Sequence, residues 1–144
     1  MIHIYTLALA VVALPFASVV ANAAELAITV KEVRNASGWV LIAVYDSDAS
    51  FLKLQLAKAE LKAHASKGEV KFVVHDLPPG KYAVTAFHDE NDNGKLDKNW
   101  LGVPTEGYGF SNEAKGSFGP PKFDRAVFDF DGKTDKAISF SLNY

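Results

Sequence analysis

From Leu26 onward, apolar residues recur at every second position. Leu26, Ile28 and Val30 alternate with Ala27, Thr29 and Lys31, the period of a half-buried strand. Asn35-Ala36-Ser37-Gly38 then supplies turn chemistry, and Trp39 to Tyr45 resumes as a β-rich run, so the two segments are expected to form an antiparallel hairpin. Val70, Phe72 and Val74 repeat the alternation. After the turn Leu77-Pro78-Pro79-Gly80, Tyr82, Val84 and Ala86 share one face of Lys81 to His88, while Ala83, Thr85 and Phe87 share the other. Both segments are candidate central strands, and Arg125 to Phe130 and Ala137 to Leu142 add two more. Between Ser47 and Lys67 the pattern is mixed. Its Ala, Lys, Glu and Leu content favours helix, whereas Ala59, Leu61 and Ala63 would share one face of a strand, so a loop or short helical turn near Ser50–Leu54 followed by a strand is expected.

Six or seven short strands separated by turn signals predict an all-β fold, an antiparallel β-sandwich of about seven strands, and not a βαβ arrangement. One stretch departs from the rhythm. Asp89 to Phe123 has almost no periodicity and is rich in glycine and proline. Structureless loops longer than about 12–15 residues are uncommon in compact domains and are usually functional, so function is sought there.

The start of the chain is of a different kind. Ile4 to Val20 carries no Asp, Glu, Lys or Arg and runs into the small-residue pattern Ala21-Asn22-Ala23, as a signal-peptidase site requires. Residues 1–23 are therefore read as a signal peptide and residues 24–144 as one β-sandwich domain, periplasmic or secreted. The rival, a membrane anchor, fits less well: the run contains Pro15 and falls short of the roughly 20 apolar residues that span a bilayer. Nothing in the remainder of the chain suggests a stable membrane span. The 144-residue chain has a net charge of −2, with no basic stripe for a phosphate backbone, which argues against nucleic acid as a partner. It has no cysteine, so its stability must come from burial.

The long loop opens with Asp89-Glu90-Asn91-Asp92-Asn93-Gly94-Lys95-Leu96-Asp97. Oxygen side chains at alternate positions (Asp89, Asn91, Asn93, then Asp97), a turn-permitting Gly94 and an apolar Leu96 match most of an EF-hand calcium loop, with Lys95 offering its backbone carbonyl. The match ends at Trp100, where an EF-hand places a bidentate Glu, and a strand enters the loop instead of a helix. A non-EF calcium site is expected, with Glu106 among the residues able to supply the missing carboxylate. Asp89 and Asp97 are the charged ligands of the loop's core, so the affinity expected is that of extracellular modules, about 10⁻⁴–10⁻³ M. The competing reading is that Asp, Asn and Gly form self-bonded turns without metal.

Other chemistry is thinner. Ser111 with His88 and Asp89, or Glu106 paired with Asp89 or Asp97, have no diagnostic catalytic motif, and no enzyme is expected. His64, His75 and His88 lack zinc-type spacing and read as surface or strand-end residues. A phosphate-cradling loop would need a Lys and a following helix. Tyr108 and Phe110 either pin the loop to the sandwich or form a partner surface.

Several motifs occur here in fixed order: Leu77-Pro78-Pro79-Gly80-Lys81-Tyr82-Ala83-Val84, Phe87-His88-Asp89-Glu90-Asn91, Asn93-Gly94-Lys95-Leu96-Asp97, Gly102-Val103-Pro104 with Glu106-Gly107-Tyr108-Gly109-Phe110-Ser111-Asn112, and Pro120-Pro121 with Phe123. Together they resemble the bacterial exported family catalogued as domain of unknown function 2141, across nearly all of residues 24–144. The resemblance implies export and a sandwich, and no reaction. The Leu-Pro-Pro-Gly-x-Tyr element is also similar to the corner of transthyretin-like and immunoglobulin-like sandwiches, where a tyrosine hydroxyl bonds backbone. The expectation is a non-catalytic binding module with a calcium loop, whose partner is an envelope protein or polymer. The alternatives are a metal-free structural domain of the envelope, and a small-ligand carrier or hydrolase using the Glu106–Ser111 surface.

Overall fold

The alternating residues of the strands meet in one core between two sheets. The computed structural model describes residues 23–144, so the expectation of a signal peptide over residues 1–23 falls, but for its last residue, outside the described residues. The strands are β1 (Leu26–Val33), β2 (Trp39–Tyr45), β3 (Ala59–His64), β4 (Gly68–Val74), β5 (Gly80–Asp89), β6 (Tyr108–Phe110), β7 (Phe128–Phe130) and β8 (Lys136–Ser141). A three-stranded sheet runs β4-β1-β8; the larger sheet runs β3-β2-β5-β6, with β7 also paired to β5. The result is an all-β sandwich. Leu26, Ile28 and Val30 of β1 and Val70, Phe72 and Val74 of β4 face Val40, Ile42 and Val44 of β2 and Val84 and Ala86 of β5, with Phe140 of β8 fully buried among them. Ala59, Leu61 and Ala63 of β3 pack against the same core, as their spacing predicts.

The expected β1–β2 hairpin does not form. β1 pairs antiparallel with β4 and parallel with β8, while β2 pairs with β3 and β5. The Asn35–Gly38 turn instead carries the chain from one sheet to the other. Its glycine is required: Gly38 has φ +67°, and a Cβ there would lie 1.9 Å from the carbonyl oxygen of Asp89. Of the two candidate central strands, β5 is central, whereas β4 is an edge strand. Alternation reports which face is buried and is silent about how many neighbours a strand has.

Tyr82 closes a corner of the sandwich, its hydroxyl donating to the carbonyl of Pro78 at 2.7 Å. The mixed segment resolves into turns over residues 48–52, a 3₁₀ turn at Leu54–Leu56, then β3. Two details differ from the sequence pattern farther on. Phe123–Ala126 forms one helical turn, α1, ahead of the short β7, where a strand from Arg125 is expected. And β6 arises inside the long irregular stretch, with Gly109 allowing close approach: a Cβ there would meet the Ser141 carbonyl at 2.4 Å.

The larger sheet is apolar on its outer face as well. Ala43, Tyr45, Ala83 and Phe110 form a second buried cluster with Phe51 and Ala126, lidded by the segment between β2 and β3 and by α1. This explains why β2 is buried at nearly every position instead of alternating. Among the described residues, no helix is long and apolar enough to cross a membrane.

Candidate functional site

Asp89 is the last residue of β5, paired across the ladder with Trp39, and its side chain is only 1 % exposed. A buried carboxylate needs donors. Two backbone N–H groups of the following loop supply them: Asn93 donates to Oδ1 at 3.0 Å and Gly94 to Oδ2 at 2.7 Å. The chain is thereby folded back on the strand end, with Asp92 (φ 56°) and Gly94 (φ 76°) in left-handed conformations. Two further Asx turns continue the curl, Asn91 Oδ1 accepting from the Asn93 N–H and Asn93 Oδ1 from the Lys95 N–H.

Three of the polar side chains singled out by spacing meet in this curl. The Asn91 amide donates to Asp97 Oδ2 at 2.6 Å, and the Asn93 amide donates to both Asp97 oxygens at 2.9 and 3.0 Å. Glu106 comes back to the same loop from 16 residues after Glu90. Buried at 5 % exposure, it accepts the Glu90 N–H on Oε1 at 2.9 Å and the Asp97 N–H on Oε2 at 3.0 Å, so one carboxylate ties the two ends of the curl together. Lys95 lies between Asn93 and Asp97 with an exposed side chain. Among the described residues, no three His, Cys, Asp or Glu side chains are grouped as a metal cluster. A cation here would rely on amide and backbone oxygens beside the carboxylates of Asp89 and Asp97. That donor set suits a hard cation such as calcium and not zinc. Asp97 Oδ2 accepts from both Asn91 and Asn93; each other carboxylate or amide oxygen of the loop's core has a second lone pair beyond the one N–H it accepts.

Behind the loop lies a network that sequence reasoning missed. Of the two expectations for His88, surface or strand-end, the second holds: it is the penultimate residue of β5 and is fully buried. Its Nε2 is 2.7 Å from the Ser37 carbonyl, which can only accept, so Nε2 carries a proton. Its Nδ1 is 2.8 Å from the Tyr144 hydroxyl, which in turn accepts the Arg34 N–H at 3.1 Å. Burial pushes the Tyr144 phenol above its usual pKa, so the hydroxyl keeps its proton. Glu90 bonds the Arg34 guanidinium and accepts from the Asn35 amide at 2.9 Å. Burial alone would raise the Glu90 pKa; the bonds from Asn35 and Arg34 outweigh it and hold the carboxyl below its ordinary value. The signal was present in the strand's own phase, since Tyr82, Val84 and Ala86 place position 88 on the inner face.

The remaining candidates are dispersed. Ser111, only 1 % exposed, accepts the Val84 N–H and donates to the Ala126 carbonyl, and both ring nitrogens of His88 are bonded elsewhere. His64 stacks on Trp39 with ring centres 3.8 Å apart, and His75 lies 3.1 Å from Glu25. Phe110 is buried against Phe51 on the outer face of the larger sheet, and Tyr108 is half-buried beside it. The exposed apolar side chains of the long connection are others: Trp100, Leu101 and Val103 on a small hairpin closed by a Lys98–Pro104 bridge, and Phe118.

A family model described as "Uncharacterized protein conserved in bacteria (DUF2141)" matches residues 28–138, a span from β1 into β8 that includes the whole loop. The chain belongs to the DUF2141 family. Among curated proteins and solved structures, none matches it. The membership of this DUF2141 chain fixes its family without assigning a ligand or a reaction, so the Asp89–Glu106 cluster has to be interpreted from its own chemistry.

Proposed function

We propose that this DUF2141 chain is an exported, non-catalytic binding module, periplasmic or secreted, whose Asp89–Asp97 loop takes a calcium ion weakly and so stiffens the long connection. The observation that supports this reading best is the convergence of Asn91 and Asn93 on the Asp97 carboxylate, over a curl already anchored by buried Asp89 and Glu106. A cation drawn to Asp97 would replace amide donors that now satisfy it, and Lys95 would contribute its carbonyl. The apolar run of residues 1–23 supports export. The partner is an envelope protein or polymer, met by half-buried Tyr108 and the exposed Trp100 hairpin in place of Phe110, which is buried under Phe51.

A second reading has an observation of its own. Every side-chain oxygen of the loop's core already accepts an N–H, as a metal-free structural element of the envelope would require.

Calorimetric titration of the purified protein with calcium, after chelation, separates the two. The calcium reading expects saturation at about 10⁻⁴–10⁻³ M, and at 100 times Kd a stabilisation of about 2.7 kcal/mol. Asp97→Asn should abolish both while leaving buried Asp89 to hold the curl. No heat and no change in melting at millimolar calcium would leave the metal-free reading.

A further inference from the structure

A groove of about 570 Å³ lies on the outer face of the larger sheet, within the size range of small-molecule sites. Its floor is Leu41, Ala43 and Phe87, residues of β2 and β5 in adjacent rows of the ladder. One wall is Leu52 and Leu54; the other is the segment Gly94–Leu96 of the acidic loop. An outer sheet face is ordinarily polar, and the smaller sheet keeps that rule with Lys31 and Lys71. Ala43 belongs to the buried Phe51 cluster, but half-buried Leu41 and Phe87 do not, and their apolar surface is unexplained by folding alone.

Two further observations select the occupant. Leu52 sits at φ 64°, a conformation that a bulky side chain rarely adopts, and there it holds a 44 % exposed leucine at the groove's edge. Strain that exposes an apolar group instead of burying it points to a contact outside the chain. The rim also carries Lys62 and Lys95, neither paired with a carboxylate among the described residues; the Lys62 ammonium is held 4.4 Å above the Trp39 ring. Register places Lys62 in the Leu41–Phe87 row, toward the acidic loop, and Glu60 one row farther along, toward Tyr45. The groove is thus apolar along its floor and cationic at one end.

We infer that this groove binds a small amphiphile with an apolar body and a single anionic headgroup, the headgroup lying at Lys62 and Lys95. A macromolecular partner fits less well, because a stable protein interface needs about 800 Å² from each side and this floor is walled at both flanks. The inference goes beyond the calcium reading and does not depend on it, since Gly94–Leu96 is positioned by the bonds to Asp89 and Asn93.

The test is calorimetric titration of the purified protein with dodecanoate below its micelle concentration, in chelator so that calcium plays no part. The expected result is saturable one-to-one binding, with dodecyltrimethylammonium failing to bind. Lys62→Gln should weaken Kd about tenfold, the loss of one charge-assisted contact. Leu52→Gly should lose binding without a lower melting temperature, because glycine accepts φ 64° and only the wall is removed. Absence of saturation, equal binding of the cationic detergent, or indifference to both substitutions would overturn the proposal. A dimer in sedimentation that Leu52→Asp dissolves would overturn it too, making a second copy of the chain the occupant.

Discussion

Replacing Ser111 with alanine tests how the larger sheet survives a break in its ladder. β5 pairs with β7 over Gly80–Tyr82 and with β6 over Thr85–Phe87, so the rung between them has no strand opposite. Ser111 fills it: Oγ accepts the Val84 N–H at 2.9 Å and donates to the Ala126 carbonyl at 2.6 Å, in a site only 1 % exposed. Ser111→Ala leaves a buried donor and a buried acceptor without partners, each worth about 1–3 kcal/mol. A loss of about 3 kcal/mol is expected, and for a domain of this size that corresponds to a fall in Tm of roughly 12 °C. Urea unfolding should show a lower midpoint at unchanged slope. Ser111→Cys, which keeps a weak donor and acceptor, should fall between the two. A loss under about 0.5 kcal/mol for the alanine variant, the range of ordinary surface substitutions, would refute the idea that one hydroxyl completes the ladder.

Two further outcomes follow from the network behind the loop. Tyr144→Phe keeps the ring under the Arg34 guanidinium, 4.4 Å away, but strips buried His88 of its partner at Nδ1; thermal unfolding should show a loss of about 1–3 kcal/mol. Glu90 contributes a pH dependence of definite sign. Its folded pKa is depressed, so its stabilisation is present above the ordinary glutamate value of about 4.3 and is lost as pH falls through the folded value. The stability gap between the parent and Glu90→Gln, measured by urea unfolding at about pH 6 and about pH 3, should therefore shrink on acidification.

What the sequence made legible follows from what alternation encodes. The strands of the core were readable because Leu26–Val30, Val70–Val74 and Tyr82–Ala86 each keep one apolar face, and the Tyr82 corner was readable because Leu-Pro-Pro-Gly fixes the approach to it. Partner choice was not, since Asn35–Gly38 has the composition of a hairpin turn whether it joins neighbours or crosses between sheets. β2 gave no clue to its neighbours because both its faces are apolar, one for the core and one for the Phe51–Phe110 cluster. At the loop, spacing put Asp89, Asn91, Asn93 and Asp97 on one turn, and in the structure Asn91 and Asn93 both bond Asp97, while Glu106 was one of several acidic residues open to join them. Spacing could not show that backbone N–H groups 4, 5, 9 and 16 residues away would occupy those oxygens, because that depends on how the chain curls. Phe110 and Tyr108 differ in burial through the pairing of β6 with β5, which no local period announces.

The order β4-β1-β8 also imposes a timetable on biosynthesis. β1 is made first yet lies between two strands, one of which, β8, is made last. Until Lys136–Ser141 has left the ribosome, one whole flank of β1 has its backbone groups unpaired, and the space filled by fully buried Phe140 is open to water. A nascent or prematurely terminated chain therefore cannot close the sandwich, and its exposed strand edge marks it for proteolysis or aggregation.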